Sequence, residues 1–153
     1  MESPDRLDIK ILRALQRDGR LSTVALAEAV GLSPTATTER VKRLSRDGII
    51  KGYHAELDPA MLGRALLVFI EVTLDKTTPD IFARFAVAVR AAAEILECHL
   101  VAGGFDYLIK TRVKDMEAYR NLLTQTILAL PGVRESRSYA VMEEVKADRH
   151  LPL

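Results

Sequence analysis

The stretch STVALAEAVGLSPTATTERVKRLSRDG, Ser22 to Gly48, carries two helical patterns separated by a very short connection. The first opens after Ser22, a plausible N-cap, and sets Leu26, Ala27 and Val30 on one face before Gly31 closes it. The second opens after Ser33, with Pro34 in the first turn, where no intrahelical N–H bond is lost. Val41 and Leu44 then point inward, and Asp47-Gly48 is the stop. Gly31-Leu32-Ser33 is so tight a connection that the two helices are expected to cross steeply. Upstream, Leu7, Ile11, Leu12 and Leu15 recur at helical spacing, and Asp18-Gly19 is expected to end that helix through a left-handed glycine. Three helices so joined make the helix-turn-helix plan, whose last helix enters the DNA major groove. Downstream, Ile49, Ile50, Tyr53, Ala55 and Leu57 read as a short β-segment broken by Gly52, a small wing or a lead-out strand.

The chemistry of the last helix agrees with that plan. Its start presents Ser33, Pro34, Thr35, Ala36, Thr37 and Thr38, small residues that let a backbone approach DNA closely, and a helix N-terminus favours phosphate. Arg40 and Arg43 are expected on the side away from Val41 and Leu44, where arginine reaches guanine or phosphate, with Lys42 beside them. From Ser33 to Gly52 there are five basic residues against two acidic ones, a local charge of +3. From Pro59 onward, twelve basic residues balance twelve acidic ones. The anion-seeking charge is therefore local, although a solvated helix face also explains such a cluster.

At 153 residues the chain fits one ordinary domain or two small ones. We expect a DNA-binding domain over residues 1–57, a linker over 58–65 containing Pro59 and Gly63, and a second domain over 66–153. That second part alternates differently. Leu66–Leu74 sets Val68, Ile70 and Val72 against Leu67, Phe69 and Glu71. Thr78-Pro79 opens a helix with Ile81, Phe82, Phe85, Ala88 and Val89 inward. Strands are expected over Ile95–Ala102 and Phe105–Val113, joined by a two-residue hairpin at Gly103-Gly104. A helix capped by Asp115 and a strand over Val133–Met142 complete a β-α-β-β-α-β order. The fold class is thus α+β: a winged-type helix-turn-helix followed by a ferredoxin-like split βαβ domain. Two helices cover one sheet face, while both faces of Leu66–Leu74 carry large apolar residues. A second copy is expected on the open face, giving a homodimer.

Several motifs resemble the Lrp/AsnC, or feast/famine, family of transcription regulators. Asp8-Ile9-Lys10-Ile11-Leu12, Leu32-Ser33-Pro34-Thr35, Arg40-Val41-Lys42-Arg43-Leu44 and Gly48-Ile49-Ile50 are similar to its helix-turn-helix. Glu97-Cys98-His99-Leu100-Val101, Phe105-Asp106-Tyr107-Leu108, Leu130-Pro131-Gly132-Val133 and Val141-Met142-Glu143-Glu144-Val145-Lys146 are similar to its effector domain. The resemblance covers nearly the whole chain. It implies double-stranded DNA as one partner, an amino acid as effector, and dimers that assemble into octamers or hexadecamers. It also implies an effector site between dimers, around Leu100, Val101, Ala102, Gly103, Gly104, Phe105 and Asp106, completed by Met116, Tyr139, Ala140 and Val141. Asp106 would accept the ammonium, the Gly103-Gly104 backbone would donate to the carboxylate, and Leu100, Met116 and Val141 would form apolar walls. Read without the resemblance, the two glycines are a hairpin turn and Asp106 a surface charge or turn cap. Leucine is the effector the resemblance favours; proline, lysine and methionine are alternatives. Gly103-Gly104 departs from the family's frequent Gly-Asp, and Ala36-Thr37-Thr38 from its usual residues there, which bears on effector identity and base preference.

Other readings fare less well. An acylphosphatase-like hydrolase would need an Arg/Asn pair by a phosphate loop, and the sole asparagine, Asn121, falls mid-helix. A sensor or scaffold that does not bind DNA is the remaining alternative. Cys98-His99 lacks metal-ligand spacing, and no cofactor or metal is expected. A single cysteine, no apolar run long enough for a bilayer, and a charged start at Met1–Asp8 point to the cytoplasm, and the resemblance implies a nucleoid-associated protein.

Overall fold

The computed structural model describes residues 3–148 and 150–153. Contacts divide the chain into two units: residues up to Glu56 together with Lys146–Leu153, and Leu57–Val145. The expected second domain ran on to residue 153. The tail instead joins the first unit, because Gln16 donates to the Leu151 carbonyl (3.2 Å) and accepts from its amide (2.7 Å). Arg13 Nε adds a bond to the Leu153 carbonyl at 2.6 Å.

The first unit holds α1 (Arg6–Arg17), α2 (Thr23–Val30) and α3 (Pro34–Arg46). Each has a side-chain N-cap: Asp5 in a reciprocal capping box with Asp8, Ser22, and Ser33 ahead of Pro34. Gly31 ends α2 in the left-handed conformation (φ +74°), which turns the chain directly into α3. Ile11, Leu26, Val30 and Leu44 form the buried centre, flanked by Leu15, Val41, Ile49 and Ile50. Two expectations are corrected. α1 ends through an extended Asp18 rather than a left-handed Gly19; Gly19 leaves room for the Tyr53 ring, 3.1 Å from where a Cβ would stand. The segment from Ile49 to Leu57 forms no strand, because it finds no strand to pair with; Ile49 and Ile50 pack on the helices instead.

The second unit is a four-stranded antiparallel sheet, β1 (Leu66–Leu74), β2 (Ile95–Leu100), β3 (Tyr107–Val113) and β4 (Val133–Ala140), ordered β2-β3-β1-β4. Helices α4 (Pro79–Ala91) and α5 (Met116–Leu122, continued by a π-helical turn over Leu123–Ile127) cover one face. Val68, Ile70 and Val72 meet Thr111, Ile109 and Tyr107 in register there, under Phe85, Val89, Tyr119, Leu122 and Ile127. Phe85 stacks on Tyr107 at a ring separation of 4.2 Å. This is the expected β-α-β-β-α-β architecture. The other face carries Leu67, Phe69, Glu71, Leu108, Lys110 and Tyr139. The expected two-residue hairpin is corrected. β2 stops at Leu100 and β3 starts at Tyr107, with Val101 N–H bonded to the Asp106 carbonyl (2.9 Å) around a wider loop. Neither Gly103 nor Gly104 has positive φ, so the tight primed turn does not form.

Candidate nucleic-acid interface and effector site

Thirteen residues of α3 divide into three stripes. Thr37 and Leu44, seven residues and so two turns apart, face inward and are buried. Thr37 was expected among the residues offered to DNA; its side chain is enclosed, with Oγ1 bonded to the Ser33 carbonyl at 3.0 Å. The outward stripe presents Ser33, Pro34, Thr35, Glu39, Lys42 and Arg46 to solvent, with Thr38 half-exposed and back-bonded to the Pro34 carbonyl. Lys42 pairs with Glu39 at 3.1 Å, an exposed contact that solvent weakens. Ser33 Oγ accepts from the half-buried Ala36 amide and is therefore spent on capping.

Arg40 and Arg43 occupy the third stripe, on the flank towards the start of α1. They were expected to reach guanine or phosphate, and in the structure each has a carboxylate partner. Asp8, fully buried, accepts from Arg40 Nη1 at 2.8 Å, from Arg43 Nη2, and from the Asp5 amide at 3.0 Å. Arg40 Nη1 also donates to Asp5 Oδ2 at 2.6 Å. A buried carboxylate needs such company, since unpaired burial of its charge costs several kcal/mol. Hydrogen bonds donated to Asp5 and then Asp8 hold the Arg40 guanidinium above its ordinary pKa. The backbone amide of Asp8, and next Arg40, hold the Asp5 carboxyl below its own. Sequence reading missed Asp5 and Asp8. The signal was an acid at the inward-facing start of an apolar helix, far along the chain from two arginines.

The expected effector residues fall into separated groups. Leu100 ends β2 and Val101 to Asp106 form the β2–β3 loop, with Leu100, Ala102, Gly103 and Gly104 exposed and Val101, Phe105 and Asp106 half-buried. Asp106 acts as a clamp on the end of β1: its amide donates to the Val72 carbonyl (3.0 Å) and its Oδ2 accepts from the Leu74 amide (2.7 Å). Ala140 pairs with Val68, and Val141 donates to the Leu67 carbonyl, at the other end of the same strand. Seven residues of strand, roughly 23 Å, separate Leu67 from Leu74. Met116 starts α5 just after β3 ends beside Leu66, so it too belongs to the far end. Tyr139, paired with Phe69, lies between. One chain does not close these residues around a single small molecule.

Beside the loop, on the helix-free face, is a cavity of about 100 Å3. Gly104 and Phe105 line it together with Glu71, Thr73, Arg134, Glu135, Ser136 and Arg137. None of those last six was read as a site residue, although Glu71 is the one charge in an otherwise apolar strand. Both signs of charge border the cavity, which suits a zwitterion. An added Cβ on Gly103 or Gly104 meets nothing within 4 Å, so the chain itself does not require glycine there.

Cys98 faces the helix side of the sheet, opposite Ile109, and burial pushes its thiol pKa to about 11. His99 points the other way, 3.3 Å from Glu97, whose carboxyl Lys110 and then His99 hold below the ordinary value. Among the described residues no group of His, Cys, Asp and Glu could hold a metal ion, and no helix is long and apolar enough to cross a membrane.

Comparison with known proteins finds two matching domains, the second of which runs on through most of the tail that packs with the first unit. Residues 67–151 match the Lrp/AsnC ligand binding domain, and residues 4–51 a winged helix-turn-helix DNA-binding domain. The chain is 57% identical over 147 residues to the leucine-responsive regulatory proteins of Escherichia coli K12 and Salmonella typhimurium LT2, covering 96% of this chain and 90% of each of those. In structure it is similar to a transcriptional regulator from Neisseria meningitidis solved as a complex with L-Met (TM-score 0.92, 38% identity, 98% and 97% of the two chains). It is equally similar to an AsnC family transcriptional regulator from Agrobacterium tumefaciens (TM-score 0.92, 34% identity, 97% and 96%).

Proposed function

The chain belongs to the Lrp/AsnC family of DNA-binding transcription regulators, and from that premise we propose how its residues divide the work of reading DNA and sensing an amino acid. The outward stripe of α3 enters the major groove, with Thr35, Thr38, Lys42 and Arg46 nearest the bases and Arg40 and Arg43 flanking them towards phosphate. The carrying observation is that this stripe is polar, solvent-facing and held by a capped, left-handed turn from α2. Lys42→Ala and Arg46→Ala should each lower the slope of log affinity against log salt by about 0.9 on a duplex. Unchanged slopes in both variants would remove this stripe from the interface.

The amino-acid site forms where copies of the chain meet. Two separated groups of residues, each open to solvent, support a shared site: the Leu100–Asp106 loop with its neighbouring charges from one copy, and Met116, Ala140 and Val141 from another. In that site Glu71 or Asp106 takes the ammonium, Arg137 or the Gly103-Gly104 amides take the carboxylate, and Leu100, Met116 and Val141 enclose the side chain. The leucine-responsive relatives and the L-Met complex of the Neisseria regulator support an apolar amino acid, leucine first. The apolar residues on the helix-free face, Phe69 and Leu108 among them, support a homodimer, and further assembly to octamers or larger is the family expectation. The reading places the protein in the cytoplasm with the nucleoid. A thermal-shift screen of amino acids, run beside light scattering, tests it. Gly104→Ala should leave stability within about 0.5 kcal/mol and weaken the response. An undiminished response in both Gly104→Ala and Asp106→Ala would move the site elsewhere.

A further inference from the structure

An ion-pair cluster joins α1 and α3. Two carboxylates, Asp5 and Asp8, face two guanidiniums, Arg40 and Arg43, so the most cationic flank of α3 is neutral. The two acids are not equivalent. Asp8 has 1% side-chain exposure, and stripping it of its partners would leave a buried charge. Asp5 is 51% exposed, and its contact with Arg40 is a surface ion pair that water and ions compete for. Its two oxygens also have separate tasks. Oδ1 caps α1 by accepting from the Leu7 and Asp8 amides, both at 2.8 Å, while Oδ2 alone holds Arg40. Asp5 can therefore release the arginine without uncapping the helix.

Resting on the DNA-binding reading, we propose that Asp5 is an internal stand-in for a DNA phosphate: it occupies Arg40 Nη1 in the free protein and is displaced when a backbone phosphate arrives beside α3. Asp8 keeps both arginines in place throughout and is the positioning residue. Asp5 lowers affinity for every duplex alike, because it competes for a phosphate contact and touches no base. Its effect is to weaken specific and non-specific binding by the same factor, leaving their ratio unchanged and moving more of the protein off DNA. The carboxyl is held below its ordinary value, so it carries its charge at any pH used for DNA binding.

The test uses the full chain and a labelled mixed-sequence duplex, read by anisotropy from about 50 to 200 mM KCl. Asp5→Asn and Asp5→Ser both keep an N-capping oxygen and remove the charge. Each should bind the duplex about three- to fivefold more tightly. Glu28→Gln, an exposed charge removal on α2, controls for overall charge and should change affinity less than about twofold. In an Arg40→Gln background the gain from Asp5→Asn should vanish, a coupling that a purely structural cap would not show. Asp5 variants that bind like the parent, or no more tightly than Glu28→Gln, overturn the proposal while DNA binding stands. A parent protein with no salt-dependent affinity for the duplex overturns the DNA-binding reading and this proposal with it.

Discussion

Replacing Asp8 with alanine should loosen the DNA-binding unit selectively. Asp8 is fully buried and accepts two guanidinium hydrogen bonds and one amide hydrogen bond. Breaking a wholly buried ion pair costs about 3–5 kcal/mol, mostly from the charge left behind. Here the orphaned charge would be Arg43, while Arg40 keeps Asp5, and their side chains are 36% and 26% exposed and can reach water. The lower end of the range therefore applies, about 3 kcal/mol. At 1.36 kcal/mol per decade, that is about a 150-fold loss of protection for amides that exchange by opening of this unit. Hydrogen exchange read by mass spectrometry on the full chain measures it directly. Peptides from α1 and α3 should exchange faster by that factor, while β1 and β3 keep their rates. Acceleration below about threefold in α1 and α3 would show that the cluster contributes no more than a surface pair. Equal acceleration in the sheet would show that the two units open together.

Gly132 sits at φ +77°, and an added Cβ would stand 2.6 Å from Ile81 Cγ1; Gly132→Ala should lower the stability of the second unit by about 2–3 kcal/mol in urea unfolding followed through Tyr107. Cys98, with its pKa raised from 9.0 to about 11, should react with iodoacetamide about a hundredfold more slowly at pH 8 than an ordinary thiol, and half-maximal alkylation below pH 9 would contradict its burial. Asp5 has a folded-state pKa below its ordinary 3.8, so the stability it adds is complete above that value and is lost as pH falls through the lower, folded one. The helical signal should therefore weaken below about pH 4, and Asp5→Asn should flatten that acid limb.

Element type and order were legible from local chemistry, because caps, glycine stops and hydrophobic periods act within a few residues. Ser22, Ser33-Pro34 and Gly31 mark the helix-turn-helix for that reason, and Thr78-Pro79 and Asp115 mark the helices of the second unit. No strand forms from Ile49 to Leu57 because alternation promises one only where a partner strand exists. The Gly103-Gly104 hairpin failed because Asp106 bonds to Val72 and Leu74, more than thirty residues away, and sets the loop's width from outside.

The sequence by itself determined two units, three helices in one, the second and third with their caps, and a split βαβ sheet in the other, since each follows from short-range spacing. Only the tertiary structure decided which charges meet. Arg40 and Arg43 look free along the helix, and become partners of Asp8 once α1 and α3 pack together and a buried carboxylate must be satisfied. Strand register likewise carries the residues expected to bind the effector to opposite ends of β1, a distance that no motif encodes.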